Sequence, residues 1–237
     1  MMLAPDDRVI LISGANRGIG HAIAMRLHAD GYRLSLGVRD LSQMQKAIAD
    51  WDGSRVIICH YDALDRATHQ SWVAATMAHF GQIDGLVNNA GAHETMTVRA
   101  PDFAALDRLW TINCVAPLSM ISCSLPHLEA SGHGRIINIA SLSGKRVRND
   151  AIAYNMTKHA MMALNHAARR IAWDEGVRAT AICPAFVKTD MAAGATFPVD
   201  AMIDPADVAA LVATALAMPN NATMAEMLVN CRLEDTL

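Results

Sequence analysis

Tyr154 and Lys158 stand four residues apart, and on a helix that spacing puts both on one face. A free phenol titrates near 10. A neighbouring ammonium favours the phenolate and lowers that value. The pair is therefore expected to pass a proton near neutral pH, as general acid–base chemistry requires. The plainer alternative is a surface lysine beside a half-buried tyrosine. Ser141 precedes Tyr154 by thirteen residues at the end of an apolar run, where a strand would deliver its hydroxyl to the same crevice. The alternative there is a serine that starts a turn.

A second chemistry lies near the start of the chain. Ser13-Gly14-Ala15-Asn16-Arg17-Gly18-Ile19-Gly20 follows one apolar run and opens a helical pattern. Glycines at such a turn allow close approach of a pyrophosphate, and the helix N-terminus adds unpaired N–H groups. The spacing is G-xxx-G-x-G, neither the dinucleotide fingerprint nor a P-loop, so a turn that binds nothing stays open. Further on, Val38 fills the place where an acid usually meets the ribose 2′-hydroxyl, and Arg39 follows it. Arg17 and Arg39 would suit a 2′-phosphate, which favours NADP(H) over NAD. The competing assignment makes Asp40 the ribose ligand. Asn88-Asn89-Ala90-Gly91 ends another apolar run and reads either as part of the same rim or as an ordinary turn.

These groups need a scaffold that brings them together. Strand-like runs at 9–13, 33–37, 55–59, 83–88, 135–141, 177–184 and 226–230 alternate with helical patterns at 19–29, 41–49, 66–80, 101–129, 152–175 and 205–217. Alternation of this kind implies parallel pairing with right-handed crossovers. The expected fold is α/β: a Rossmann-type doubly wound parallel sheet of about seven strands, with helices on both faces. No linker or repeat interrupts the series, so residues 1–237 are expected to form one dinucleotide-binding and catalytic domain. Residues 191–204 have loop composition and follow a strand end, which makes them a candidate substrate lid. Pro117 is expected to bend the 101–129 helix.

Composition removes several classes. The chain has 237 residues and a net charge of −3, so a general nucleic-acid or anionic-membrane binder is not expected. The uncharged run 109–128 holds Asn113, Pro117, Pro126 and His127, poor material for a hydrocarbon span. No leader pattern is read at residues 1–7. Cys59, Cys114, Cys123, Cys183 and Cys231 show no metal spacing and read as reduced thiols, which fits a cytoplasmic protein. No metal site is expected.

Ser-Gly-xxx-Gly-x-Gly at 13–20, Asn-Asn-Ala-Gly at 88–91, Asn113, Ser141 and Tyr154-xxx-Lys158 occur in one order and at gaps that resemble the short-chain dehydrogenase/reductase family, in its short single-domain branch. The resemblance is dense from about residue 9 to 191 and weak beyond. It implies that Tyr154 protonates a carbonyl oxygen or deprotonates an alcohol. Lys158 would lower the tyrosine pKa and hold the nicotinamide ribose. Ser141 would bind the substrate oxygen, and Asn113 would anchor a water in a proton relay. For the cofactor it implies Gly14, Asn16, Arg17, Gly18, Ile19 and Gly20 at the phosphates and Arg39 at the 2′-phosphate. Asp62 would meet the adenine, and Asn89, Ala90 and Gly91 the adenine-ribose side. Pro184, Val187 and Thr189 would meet the carboxamide and pyrophosphate. It also implies a homodimer or homotetramer, as does the broad apolar face of the 152–175 helix. Ser13, Ala185, His159 and the end of the last strand depart from the family's usual residues.

The activity so implied is hydride transfer between NADP(H) and a small carbonyl or secondary alcohol, with a keto or 3-hydroxy acid among the candidates. Lys145, Arg146 and Arg148 could receive a substrate carboxylate, or form a solvated cluster. His93 could face the pocket. Met191, Phe197 and Met202 would lie on the lid. The rival is a catalytically silent NADP(H)-binding sensor. A sugar-nucleotide epimerase shares Tyr-xxx-Lys but needs a larger substrate domain, and Ser141 lacks the glycines of a hydrolase elbow.

Overall fold

The computed structural model describes residues 1–234. Seven strands form one sheet: β1 (Val9–Ser13), β2 (Arg33–Val38), β3 (Val56–His60), β4 (Gly85–Asn88), β5 (Arg135–Ile139), β6 (Arg178–Pro184) and β7 (Glu226–Val229). Their order is β3-β2-β1-β4-β5-β6-β7, and every pair is parallel. The expected doubly wound sheet is the observed one. The order reverses between β1 and β4, which opens a crevice at their carboxyl ends.

Strand β1 shows why the sheet is covered twice. Successive side chains point to opposite faces. Ile10 and Ile12 join a core layer with Ile23 and Leu27 of α1 (Gly18–Asp30) and Val208 and Val212 of α7 (Pro205–Ala217). Val9 and Leu11 join the other layer, with Trp72 of α3 (Arg66–Phe80) and Met120 of α5 (Ala116–Ala130). The short helix α2 (Leu41–Ala47) is capped by Asp40, whose side chain accepts the Gln43 N–H.

The expected helix over 101–129 is more elaborate. It runs as α4 (Phe103–Trp110), one wide π turn at Thr111–Val115, and then α5. Ala116 N–H reaches back to the Thr111 carbonyl, five residues away. Pro117 follows at once and has no N–H to offer the Asn113 carbonyl four residues earlier, so the ladder changes register around Asn113. The combined helix Phe103–Ala130 is long and apolar enough to cross a membrane by composition alone; here it packs on α3, β4 and α6. The helix expected over 152–175 is α6 (Ile152–Ile171). It stops early because the chain turns through Gly176, at φ +83°, and Val177 N–H bonds back to the Ala172 carbonyl.

At the amino end of the sheet three guanidiniums are buried: Arg8, Arg135 and Arg178. Arg8 donates to the Leu216 carbonyl at the end of α7. Arg135 donates to the carbonyls of Met218 and Gly176. Arg178 donates to the Trp173 and Asn220 carbonyls. Burial, with Arg8 and Arg178 nearby, pushes Arg135 down to about 10.

Candidate active site

The phosphate turn is built for close approach. Gly14 sits at φ +68°, a left-handed conformation that other residues rarely adopt. A methyl group on Gly20 would lie 2.2 Å from the Gly14 carbonyl oxygen, so only glycine lets α1 fold onto the turn. The N-terminus of α1 has no side-chain cap and no acidic residue in its first turn; its N–H groups and dipole are available to an anion. Ser13 ties this turn to β4. Its Oγ accepts N–H bonds from Asn89 and Ala90, both at 3.0 Å. Asn89 Nδ2 donates to the Ser13 and Gly14 carbonyls, so Asn89 shapes the turn. Thr189 stands over the same turn, its methyl 3.1 Å from where a side chain on Gly18 would begin.

At the end of β2, Val38 is buried and Arg39 is exposed. Asp40 is engaged with Ser42 and Gln43 at the head of α2, which weakens its claim to a ribose. Asn16 Nδ2 donates to Gln43 Oε1. Arg17 pairs with Asp190 at 3.1 Å. Both partners are mostly exposed, so the pair is weak. Asp62, beyond β3, accepts the Leu64 N–H and remains partly exposed at the rim.

Asn88–Gly91, Asn113 and α6 converge on the opposite side of the crevice. A side chain on Gly91 would begin 3.3 Å from Asn113 Oδ1 and 3.9 Å from Lys158 Nζ. Asn113 forms a reciprocal pair with Ala92: Ala92 N–H to Oδ1 and Nδ2 to the Ala92 carbonyl, both 2.9 Å. Nδ2 also donates to Thr157 Oγ1. Thr157, three residues after Tyr154, was not singled out from sequence, although its helical spacing puts it near the tyrosine's face. A buried amide chain fixes α6 to the sheet: Asn88 donates to Asn138, and Asn138 to Asn165.

Lys158 is buried, and its Nζ donates to the Ile139 carbonyl at 2.9 Å. It lies 5.5 Å from the centre of the Tyr154 ring. Ser141 Oγ accepts the Ser143 N–H at 3.1 Å, which aims the start of the loop after β5. The charge balance differs from the sequence expectation. Burial pushes the Tyr154 phenol up to about 12, with the Ser141 hydroxyl acting the other way. Burial pushes Lys158 down to about 8. Desolvation dominates both groups, so at neutral pH the phenol holds its proton.

His93 packs edge-on against the Tyr154 ring, 4.8 Å between centres. Val187 is buried and bridges Ile203. Pro184 ends β6, its carbonyl 3.5 Å from Ser141 Oγ. Phe186, not anticipated from sequence, stacks on Phe197 at 5.0 Å. Met191 is exposed, and the segment around it holds two short 3-10 turns, Asp190–Ala192 and Val199–Ala201. The basic loop is committed elsewhere: Lys145 pairs with Glu226 at 2.7 Å, and Arg146 and Arg148 pair with Glu234. His159 turns away, its Nδ1 on the Asn155 carbonyl, and lines a surface groove with Trp110, Val147 and Met156. Among the described residues no cluster of metal ligands occurs.

The profile of the family described as short chain dehydrogenase matches residues 8–199. Agropine synthesis reductase of Rhizobium rhizogenes is 45% identical over 95% of this chain. The chain spans about half of that relative, 53% of its length. An uncharacterized oxidoreductase of Staphylococcus saprophyticus is 30% identical over 96% of this chain and 99% of its own. A short chain dehydrogenase from Burkholderia cenocepacia, solved in complex with NADP, superposes with a TM-score of 0.87 at 26% identity, covering 96% of this chain and 98% of that one.

Proposed function

The chain belongs to the short-chain dehydrogenase/reductase family, an oxidoreductase family, and from that premise we propose that it reduces a small carbonyl compound with NADPH. The observation that carries the proposal is the convergence of Ser141, Tyr154 and Lys158 beside the glycine turn at the carboxyl edge of the sheet. The reductase name of the 45% identical relative and the NADP in a similar structure support it. They speak against the silent sensor, as does the retained proton-transfer pair, which a sensor does not need.

The residues fit a phosphorylated dinucleotide. Gly14, Asn16, Arg17, Gly18, Ile19 and Gly20 with the head of α1 would cradle the pyrophosphate. Arg39 beside the apolar Val38 would meet the 2′-phosphate, and Arg17 can join it by releasing its exposed partner Asp190. Asp62 and Asn89–Gly91 would line the adenosine, and Pro184, Val187 and Thr189 the nicotinamide side. When bound, the nicotinamide supplies the hydride. Ser141 orients the substrate oxygen, and Tyr154, protonated at neutral pH, donates to that oxygen as charge develops on it. Lys158, near 8, then stands ready to return a proton to the tyrosinate. The cofactor-binding and catalytic parts act as one domain, with 191–204 as the lid.

The chain is further inferred to act as a homodimer or homotetramer. The exposed Trp110, Leu118, Val147 and Met156 lie on the helices flanking the groove or on the adjoining loop. The test of function is a panel of ketones, aldehydes and keto acids with NADPH and NADH in parallel, with Tyr154→Phe as control. NADPH oxidation is expected on at least one carbonyl class, with turnover falling by about 10²–10⁴ in the variant. Tight NADPH binding without turnover on any class would restore the sensor.

A further inference from the structure

The loop that joins Ser141 to Tyr154 is held by one carboxylate far along the chain. Arg146 grips Glu234 with a fork: Nε to Oε2 at 3.0 Å and Nη2 to Oε1 at 2.9 Å. Arg148 reaches Oε2 at 3.0 Å, and Arg232 lies 3.7 Å from Oε1. The Glu234 side chain is only 2% exposed. A carboxylate buried so deeply persists only where its lone pairs are met, and the planar fork meets them in one orientation. Arg146, with its neighbours, holds this carboxyl below the usual range.

The same segment reaches the other wall of the cleft. The Arg232 guanidinium lies 5.7 Å from the Phe197 ring centre, and Phe197 stacks on Phe186 with the rings 11° from parallel. Phe186 directly follows the turn after β6, where Ala185 N–H bonds to the Val229 carbonyl of β7. The far end of the candidate lid is tied to the segment before it by Ile203 N–H on the Phe186 carbonyl and Lys188 N–H on the Ile203 carbonyl. Within the lid, Phe197 is met by Phe186 and by Arg232, and the exposed Arg17–Asp190 pair sits just before the lid begins.

We propose that Glu234 is a positioning residue, a carboxylate latch that fixes the loop between Ser141 and Tyr154 to the lid, so that both walls of the substrate cleft close as one. Its consequence for turnover rests on the reductase reading above; its consequence for closure does not. The latch also explains why Arg146 and Arg148 are not free to receive an acidic substrate.

The experiment compares the full chain with Glu234→Gln, which keeps the shape and removes the charge, and Glu234→Asp, which keeps the charge. Subtilisin cleavage within 191–197, mapped by mass spectrometry, and amide exchange over 145–148 are followed under native conditions. Both should quicken about fivefold or more in Glu234→Gln, with Glu234→Asp between it and the wild type, as local opening predicts. On a substrate found in the carbonyl panel, KM should rise about fivefold with kcat within about twofold, the pattern of lost ground-state positioning. Unchanged cleavage and exchange in Glu234→Gln would overturn the latch. Should that variant fail to fold, Arg232→Leu severs only the lid side. It should quicken cleavage within 191–197 alone, and no change there would overturn the latch equally. A wild type inactive on the whole panel would sink the reductase reading and leave cleavage and exchange to decide the latch.

Discussion

At the scale of single residues, the site keeps a buried lysine for chemistry at the expense of stability. Burial in the folded chain pushes Lys158 down to about 8, from the usual 10.5. Below about pH 8 both folded and unfolded chains hold the proton, and the burial penalty stands in full. Between about 8 and 10.5 only the unfolded chain holds it, so wild-type stability rises with pH across that window. Lys158→Met is therefore expected to stabilise the fold at pH 7 by roughly 1–3 kcal/mol while abolishing turnover. The gain should shrink toward pH 10, as read by thermal melts at several pH values. A loss of stability at pH 7 would contradict the assigned burial penalty. The Tyr154–Lys158 pair was legible in the sequence, because both share one helix and local spacing sets them on one face; Thr157 on the same helix was not. The charge balance was not, since desolvation depends on what the rest of the chain packs around them. Nor was the fate of Arg146: its partner lies 88 residues away, and nothing local marks Glu234.

At the scale of elements, the glycine turn works only while α1 presses against it. Gly20→Ala would drive a methyl into the Gly14 carbonyl and Asn89 Nδ2, at 2.2 and 2.4 Å. The turn must open, and NADPH affinity should fall about tenfold or more, the equivalent of about 1.4 kcal/mol. Gly53→Ala, where nothing lies within 4 Å, is the control and should bind normally. Equal affinities by fluorescence titration would show that the turn does not meet the cofactor. The turn was readable from glycine spacing and a preceding strand. The register change around Asn113 was only half readable. Pro117 announced a disturbance, but the widened turn precedes the proline and depends on Asn113 being locked to Ala92 and Thr157. Such locks join segments 21 and 44 residues apart.

At the scale of the molecule, alternating strand and helix patterns sufficed for the parallel sheet, because a parallel pair demands a crossover. The proposed assembly would be a surface property, read only from the family resemblance and the excess of apolar residues on α6. Substituting Trp110 and Met156 together by glutamate places charges on the exposed groove and is expected to convert the proposed oligomer to monomer in light scattering, with the Tm little changed. A wild type that scatters as a monomer at micromolar concentration would remove the oligomer. The buried arginines at the foot of the sheet have a wider consequence. Arg8 and Arg135 sit on the carbonyl end of α7, where the helix dipole is negative, and Arg178 on the turn after α6, while the head of α1 stays bare at the opposite rim. That bare helix head leaves a partial positive charge at the mouth of the crevice. An anionic dinucleotide is drawn toward that mouth before it makes any contact, so salt should slow its capture more than it hastens its escape.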